Sequence, residues 1–185
     1  AAMQYIVRGP FHCFGCAFTP LGWRALTGVP ADEMMDRLIN AHDVVRQDCG
    51  DLIAKLRAID HRFAPAPTDL ELQNLGEQLA QETANILCQC FQSVSHSAVD
   101  RVAKIAAWVE GAMSPRVEDL VERLGVSERH VQRLVIEYFG CSPKFLARKY
   151  RAIRVAMALA DPNVGEGERM ALHDLFYDQS HMIRE

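Results

Sequence analysis

Residues Arg116–Arg154 constrain the fold most, because helix-stop, helix-start and packing signals fall there in register. Val117, Leu120, Val121 and Leu124 recur at the i, i+3, i+4, i+7 spacing that lines one face of a helix. Gly125 follows, and glycine takes the left-handed conformation that ends a helix without steric cost. Ser127 stands where an N-cap belongs, and the next helix is predicted over about Glu128–Phe139. Val131, Leu134, Val135 and Tyr138 repeat the core spacing within it. Helix, glycine turn and capped helix within about 22 residues make a helix-turn-helix pattern.

The face opposite that stripe carries Arg129, Gln132 and Arg133 at i, i+3, i+4. Arginine suits the O6/N7 edge of guanine and glutamine the N6/N7 edge of adenine, so these three are candidate base readers. The bland alternative is the solvated polar face of any amphipathic helix. Ser127 is a candidate phosphate contact beside them. Gly140 then ends the helix, and Ser142-Pro143 supplies a cap and a first-turn proline for another. That helix, predicted from Pro143 to about Ala160, would pack through Phe145, Leu146, Ile153, Met157 and Leu159. Lys144–Arg154 holds five basic residues and no acid. Lys144 and Arg148, near the positive end of the helix dipole, are candidate phosphate ligands. Lys149 and Arg151 read equally well as a solvated face.

The order of these residues resembles that of the AraC-type (AraC/XylS-like) transcription regulators. The likeness is carried by Gly125, Ser127, Arg129, Gln132 and Arg133, then by Gly140-Cys141-Ser142-Pro143-Lys144 with Arg148, Arg151 and Arg154. FYDQSHMIRE, residues 176–185, is similar to the start of that family's second recognition helix. The resemblance covers about Val99–Glu185. It implies a mainly α protein whose residues 97–185 form a double helix-turn-helix DNA-binding domain. In that architecture two three-helical, homeodomain-like units are joined by a long helix. It also implies a transcription regulator that binds double-stranded DNA; no glycine-rich phosphate loop or active-site arrangement is visible in the sequence, so neither enzyme activity nor a cofactor is expected. A small-molecule effector and a homodimer would be further partners. Gln179, Ser180, His181 and Arg184 would be DNA contacts of the second unit. The tail departs from the pattern, because Leu172-His173-Asp174-Leu175 runs straight into Phe176 without the glycine turn. The sequence also stops at Glu185, inside the expected second helix.

Charge fits this reading only once it is divided. The 185 residues carry a formal net charge of -4, which suits DNA poorly. Residues 1–96 hold 7 Lys/Arg against 11 Asp/Glu, whereas 97–185 hold 13 of each. The deficit lies wholly in the first part, and a local basic patch matters more to a phosphate than the mean. A hydrophobic content of 49% is enough for packed cores. No run of about 18 apolar residues exists to span a membrane. No basic stretch followed by an apolar run and a cleavage site opens the sequence, so a cytoplasmic protein is expected, and the resemblance implies a bacterial-type regulator.

Residues 1–96 are expected to form a partial regulatory or dimerisation domain, short strands first and then helices. Tyr5–Val7 and Cys13–Phe18 look like strands, broken by Gly9-Pro10 and stopped by Pro20. GCAFTPLGWRALTGVPADEMMDR resembles the closing segment of a β-rich domain in one AraC-like subgroup, so the natural protein is expected to begin upstream of Ala1. Pro30 with Asp32 and Glu33 suits a helix start, with Met34, Met35, Leu38 and Ile39 as its buried stripe. A second helix is predicted over about Cys49–His61 through Leu52, Ile53, Leu56 and Ile59. The stretch 63–67 is a proline-stiffened linker. Thr68 or Asp69 would cap a third helix packing through Leu70, Leu72, Leu75, Leu79 and Ile86. The triplet Ser93, Ser95 and Ser97 suits an interdomain joint. Val99–Gly111 would open the second domain through Val102, Ile105, Ala106 and Val109, with Trp108 seating it on the helix-turn-helix.

Six cysteines raise a rival function. Cys13 and Cys16 have C-x-x-C spacing beside His12, and a thiol or metal sensor, or a thiol-dependent alkyl-transfer protein, would use them. A structural zinc site wants two well-placed pairs, and Cys88-Gln89-Cys90 on a helix points its thiols about 200° apart. Small hydrophobes in a reducing compartment is the plainer account, and no metal site is expected. His12, His42, His61 and His96 are scattered, with no metal-protease motif or nucleophile arrangement. The other rival is a protein-interaction module that keeps the helix-turn-helix shape without reading DNA.

Overall fold

The computed structural model describes residues 14–45, 50–60, 68–165 and 167. Among these residues the chain is mainly helical and contains no strand. It divides into two compact units, with the main boundary between Val94 and Ser95.

Ahead of the boundary lie α1 (Pro20–Thr27), α2 (Ala31–Met34), a 3-10 turn (Ala41–Asp43), α3 (Gly50–Asp60) and α4 (Asp69–Cys90). The expected strand over Cys13–Phe18 is corrected here, because residues 14–19 carry no regular structure. Pro20 does not stop an element but begins one. Thr19 is extended and its hydroxyl accepts from the Gly22 N–H at 3.0 Å, while proline fills the first helical turn, where no donor is missed. The expected strand Tyr5–Val7 lies outside the described residues. The helix expected after Pro30 lasts one turn. Asp36 takes a left-handed φ of 56° and ends it, leaving Leu38 68% exposed rather than buried.

The α3–α4 pair holds its own small core of Ile59, Leu75 and Leu79, with Leu56 against it and a Lys55–Glu82 ion pair of 3.2 Å alongside. Thr68 caps α4 in a reciprocal box: Glu71 N–H donates to the Thr68 hydroxyl, and the Thr68 N–H donates to the Glu71 carboxylate at 2.8 Å. The buried stripe of α4 is Leu75, Leu79, Thr83 and Leu87, not Leu70 and Leu72, which are exposed. Residues two apart cannot share a helix face, so the partner helix selects the i+4 row.

Beyond the boundary come α5 (His96–Glu110), α6 (Val117–Leu124), α7 (Glu128–Phe139) and α8 (Pro143–Ala160). Ser95 caps α5 by accepting from Ala98 N–H at 3.3 Å, so this helix starts earlier than the expected Val99. One core joins all four helices: Ile105, Trp108, Val109, Leu120, Val131, Leu134, Val135 and Leu146. Trp108 is 3% exposed, and its indole N–H donates to the Arg116 carbonyl at 2.8 Å, fixing the entry to α6. Burial of an indole with its N–H satisfied is the combination that lets tryptophan anchor a small core.

The last helix packs differently from expectation. Leu146 joins the shared core and Val155 sits among Ala152, Ala158, Leu159 and Val164, but Phe145, Ile153 and Met157 are exposed. The sequence stripe merged two faces, because small alanines at 152 and 158 line the buried side that larger residues were assumed to fill. Among the described residues no helix is long and apolar enough to cross a membrane.

Candidate nucleic-acid interface

The candidate interface is built from two helix stops and two caps. Gly125 ends α6 at φ 64°, with its N–H donating to the carbonyls of Val121 and Glu122. Gly140 ends α7 at φ 77° and donates to Ile136. Between them Ser127 caps α7, its hydroxyl accepting from His130 N–H at 3.4 Å. Ser142 caps α8 in the same way by accepting from Phe145 N–H at 3.3 Å. Both turns that flank α7 therefore join a left-handed glycine stop to a serine cap.

Core packing fixes which side of α7 faces out. Val131, Leu134 and Val135 are buried, and Tyr138 is half-buried against the same core. Arg129, Gln132 and Arg133 are exposed as a consequence of that phase. Gln132 donates from Nε2 to the Glu128 carboxylate at 3.4 Å, within the helix. Arg133 Nη2 lies 2.9 Å from Nδ1 of His130, a residue that sequence reasoning passed over. Its i, i+3 spacing to Arg133 was the available signal. Ser127, Arg129, His130 and Arg133 together line an open concavity of about 260 Å³ at the start of the helix.

The basic helix α8 separates into two groups. Lys144 and Arg148 are exposed in its first turns, and Arg148 lies 5.8 Å from the ring centroid of Phe145. This contact gives the exposed aromatic ring a cationic neighbour. The Glu118 carboxyl of α6 is held below the usual carboxylate value, first by its own backbone N–H and against the opposing effect of burial. The Arg116 guanidinium and the charge of Lys144 lower it further, which brings Lys144 and an acid into one neighbourhood. Arg154 is drawn inward instead. Its guanidinium donates to the carbonyls of Val109, Glu110 and Ala112, at the end of α5. It leaves the basic patch to which the sequence assigned it.

The second-unit candidates Gln179, Ser180, His181 and Arg184 lie outside the described residues, as do Cys13 and His12. Cys16 and Cys88 are exposed, and Cys90 donates from its thiol to the Ile86 carbonyl. Burial pushes the Cys141 thiol up, against the opposing charge of Lys149. Among the described residues no group of three or more His, Cys, Asp or Glu is placed to hold a metal ion. No protein family, curated protein or solved structure matches the chain.

Proposed function

We propose that the unit following Val94 is a duplex-DNA reader of a transcription regulator of AraC type, with α7 laid in the major groove. The observation that carries the reading is the phase of α7. Its apolar row is buried in the four-helix core, while Arg129, Gln132 and Arg133 project from the other side. Arg129 and Arg133 suit guanine edges and Gln132 an adenine edge. Ser127, Lys144 and Arg148 would sit against backbone phosphates and fix the register. The unit before the boundary would sense a small molecule or join two copies, a role supported by its separate acidic composition.

The test is fluorescence anisotropy of a labelled random duplex at about 50 and 200 mM salt. The full chain is compared with Arg129→Ala/Arg133→Ala. Binding that weakens with salt and drops in the double variant supports the reading. Absence of binding at low salt in a folded full chain transfers the case to a protein-interaction module of the same shape.

A further inference from the structure

The pair His130–Arg133 gives the α7 surface a property that its basic residues alone do not have. Arginine only donates, so at 2.9 Å from Arg133 Nη2 the His130 Nδ1 must accept. The imidazole in this arrangement is therefore neutral, with its proton on Nε2. Neutral His130 holds the Arg133 guanidinium in one direction, a step that an arginine must otherwise take at the moment of binding. Ordering a long side chain on association lowers affinity by about two- to tenfold, so a guanidinium already aimed at one base favours the duplex that presents the matching edge there.

Protonation reverses this. A charged imidazole has no lone pair on Nδ1, so it cannot accept from Arg133. Three cations, Arg129, His130 and Arg133, would then surround one open concavity. Among the described residues, few groups can offset them. On α7 itself the acids are Glu128, bonded to Gln132, and Glu137. The helices that share the core with α7 carry His96, Asp100, Arg101, Lys104 and Glu110 on α5; Glu118, Asp119, Glu122 and Arg123 on α6; and Lys144, Arg148, Lys149, Tyr150, Arg151 and Arg154 on α8. None of these lines the concavity, which is formed by Ser127, Arg129, His130 and Arg133. A phosphate group is the anion that duplex DNA brings to such a place.

We infer that His130 is a positioning residue for Arg133 and sets the balance between sequence-selective and sequence-independent DNA binding. In its neutral form it aims Arg133 at one base. In its charged form it frees Arg133 and adds one more cation for the backbone. Protonation of the ring is the one change that removes the accepting lone pair while leaving both side chains in place, so acidification separates the two roles. The inference rests on the DNA-binding reading above and adds a specificity determinant and its control.

Two substitutions separate the roles. Asparagine places Oδ1 near the position of Nδ1 and accepts from Arg133 but cannot gain a proton; alanine does neither. With the full chain, a duplex is first selected by the wild type from a randomised pool. Its affinity is then compared with that of single-base variants and of a random duplex, at about pH 8 and pH 6. At the higher pH, His130→Ala should lose roughly two- to tenfold discrimination at one base position, and His130→Asn should retain it. From the higher to the lower pH, the salt slope of wild-type binding to random duplex should steepen by about one, and that of His130→Asn should not. Full discrimination by His130→Ala, confirmed as folded by circular dichroism, would overturn the positioning role. Equal slope changes in wild type and His130→Asn would overturn the charge effect. A wild-type chain that binds no duplex at either pH overturns the DNA-binding reading itself, and this inference with it.

Discussion

The guanidinium of Arg154 donates at 2.9 Å to the carbonyl of Glu110, 44 residues earlier in the chain. Two more donations, to Val109 at 3.0 Å and to Ala112, complete a fork over the end of α5. The last carbonyls of a helix have no intrahelical donor, and a cation at that end also suits the dipole. Arg154 thereby ties the far half of α8 to the helix that carries Trp108.

Arg154→Met keeps much of the aliphatic stem and removes the fork. It should lower the stability of the full chain by roughly 1.5–3 kcal/mol, the range for hydrogen bonds from a charged group. Urea unfolding followed by circular dichroism measures this. The salt slope of DNA binding should stay as in wild type, since the side chain faces protein carbonyls. A reduced slope would place Arg154 among the phosphate contacts.

What could be read from the sequence was local. Gly125, Ser127, Gly140 and Ser142 act on backbone groups within a few residues, and all four stand at helix ends. Thr19-Pro20 used the same chemistry, yet the aromatic and glycine-rich surroundings favoured a strand. Stripes were legible only where one row was possible. In α7 Val131, Leu134 and Val135 left no alternative, whereas the leucines of α4 offered two rows and the partner helix chose between them. Lys144 was set apart in sequence by its place near the helix dipole, but nothing local distinguished Arg154 from the other basic residues of its helix. A carbonyl end 44 residues away separates their roles, and no spacing rule reaches that far. The pairing of His130 with Arg133 was within reach of spacing, but a histidine beside three better-known DNA-reading side chains was not weighed.

Gly125 isolates a pure backbone effect. Its φ is 64°, and a Cβ built there meets nothing within 4 Å. Gly125→Ala should therefore cost about 1–2 kcal/mol from the left-handed conformation alone, and Gly125→Asn should cost less. Thermal unfolding of the three proteins orders them. An equal loss for asparagine and alanine would mean that crowding, not backbone strain, governs the turn.

Glu71 supplies a pH-dependent contribution to the unit before the boundary. Its carboxyl is held below the usual 4.5, first by the Thr68 backbone N–H and then by the Thr68 hydroxyl, against burial. A depressed carboxylate stabilises the fold fully above its unfolded pKa and loses that effect as pH falls through the folded value. The wild type should thus lose its advantage over Glu71→Gln progressively below about pH 4.5. Denaturant midpoints of both chains between about pH 7 and pH 3 report the difference. A gap that stays constant across that range would show that the carboxylate charge plays no part in the cap.

Lys144 and Arg148 carry the last prediction, because phosphate contacts and base contacts fail differently. A phosphate ligand contributes to every duplex alike, and each one lost should flatten the plot of log affinity against log salt by about one. Lys144→Gln should weaken selected and random duplexes by the same factor and leave base preference intact. Arg148→Gln should do likewise while removing the cation 5.8 Å from the exposed Phe145 ring. Glu118 provides the converse. Its carboxylate shares the neighbourhood of Lys144, so Glu118→Gln removes a competing anion and should steepen the salt dependence. Opposite shifts for Lys144→Gln and Glu118→Gln, with selectivity unchanged in both, would assign the start of α8 to the DNA backbone. A change of base preference in Lys144→Gln would instead place that residue in a groove, and the orientation proposed for α7 would have to rotate toward α8.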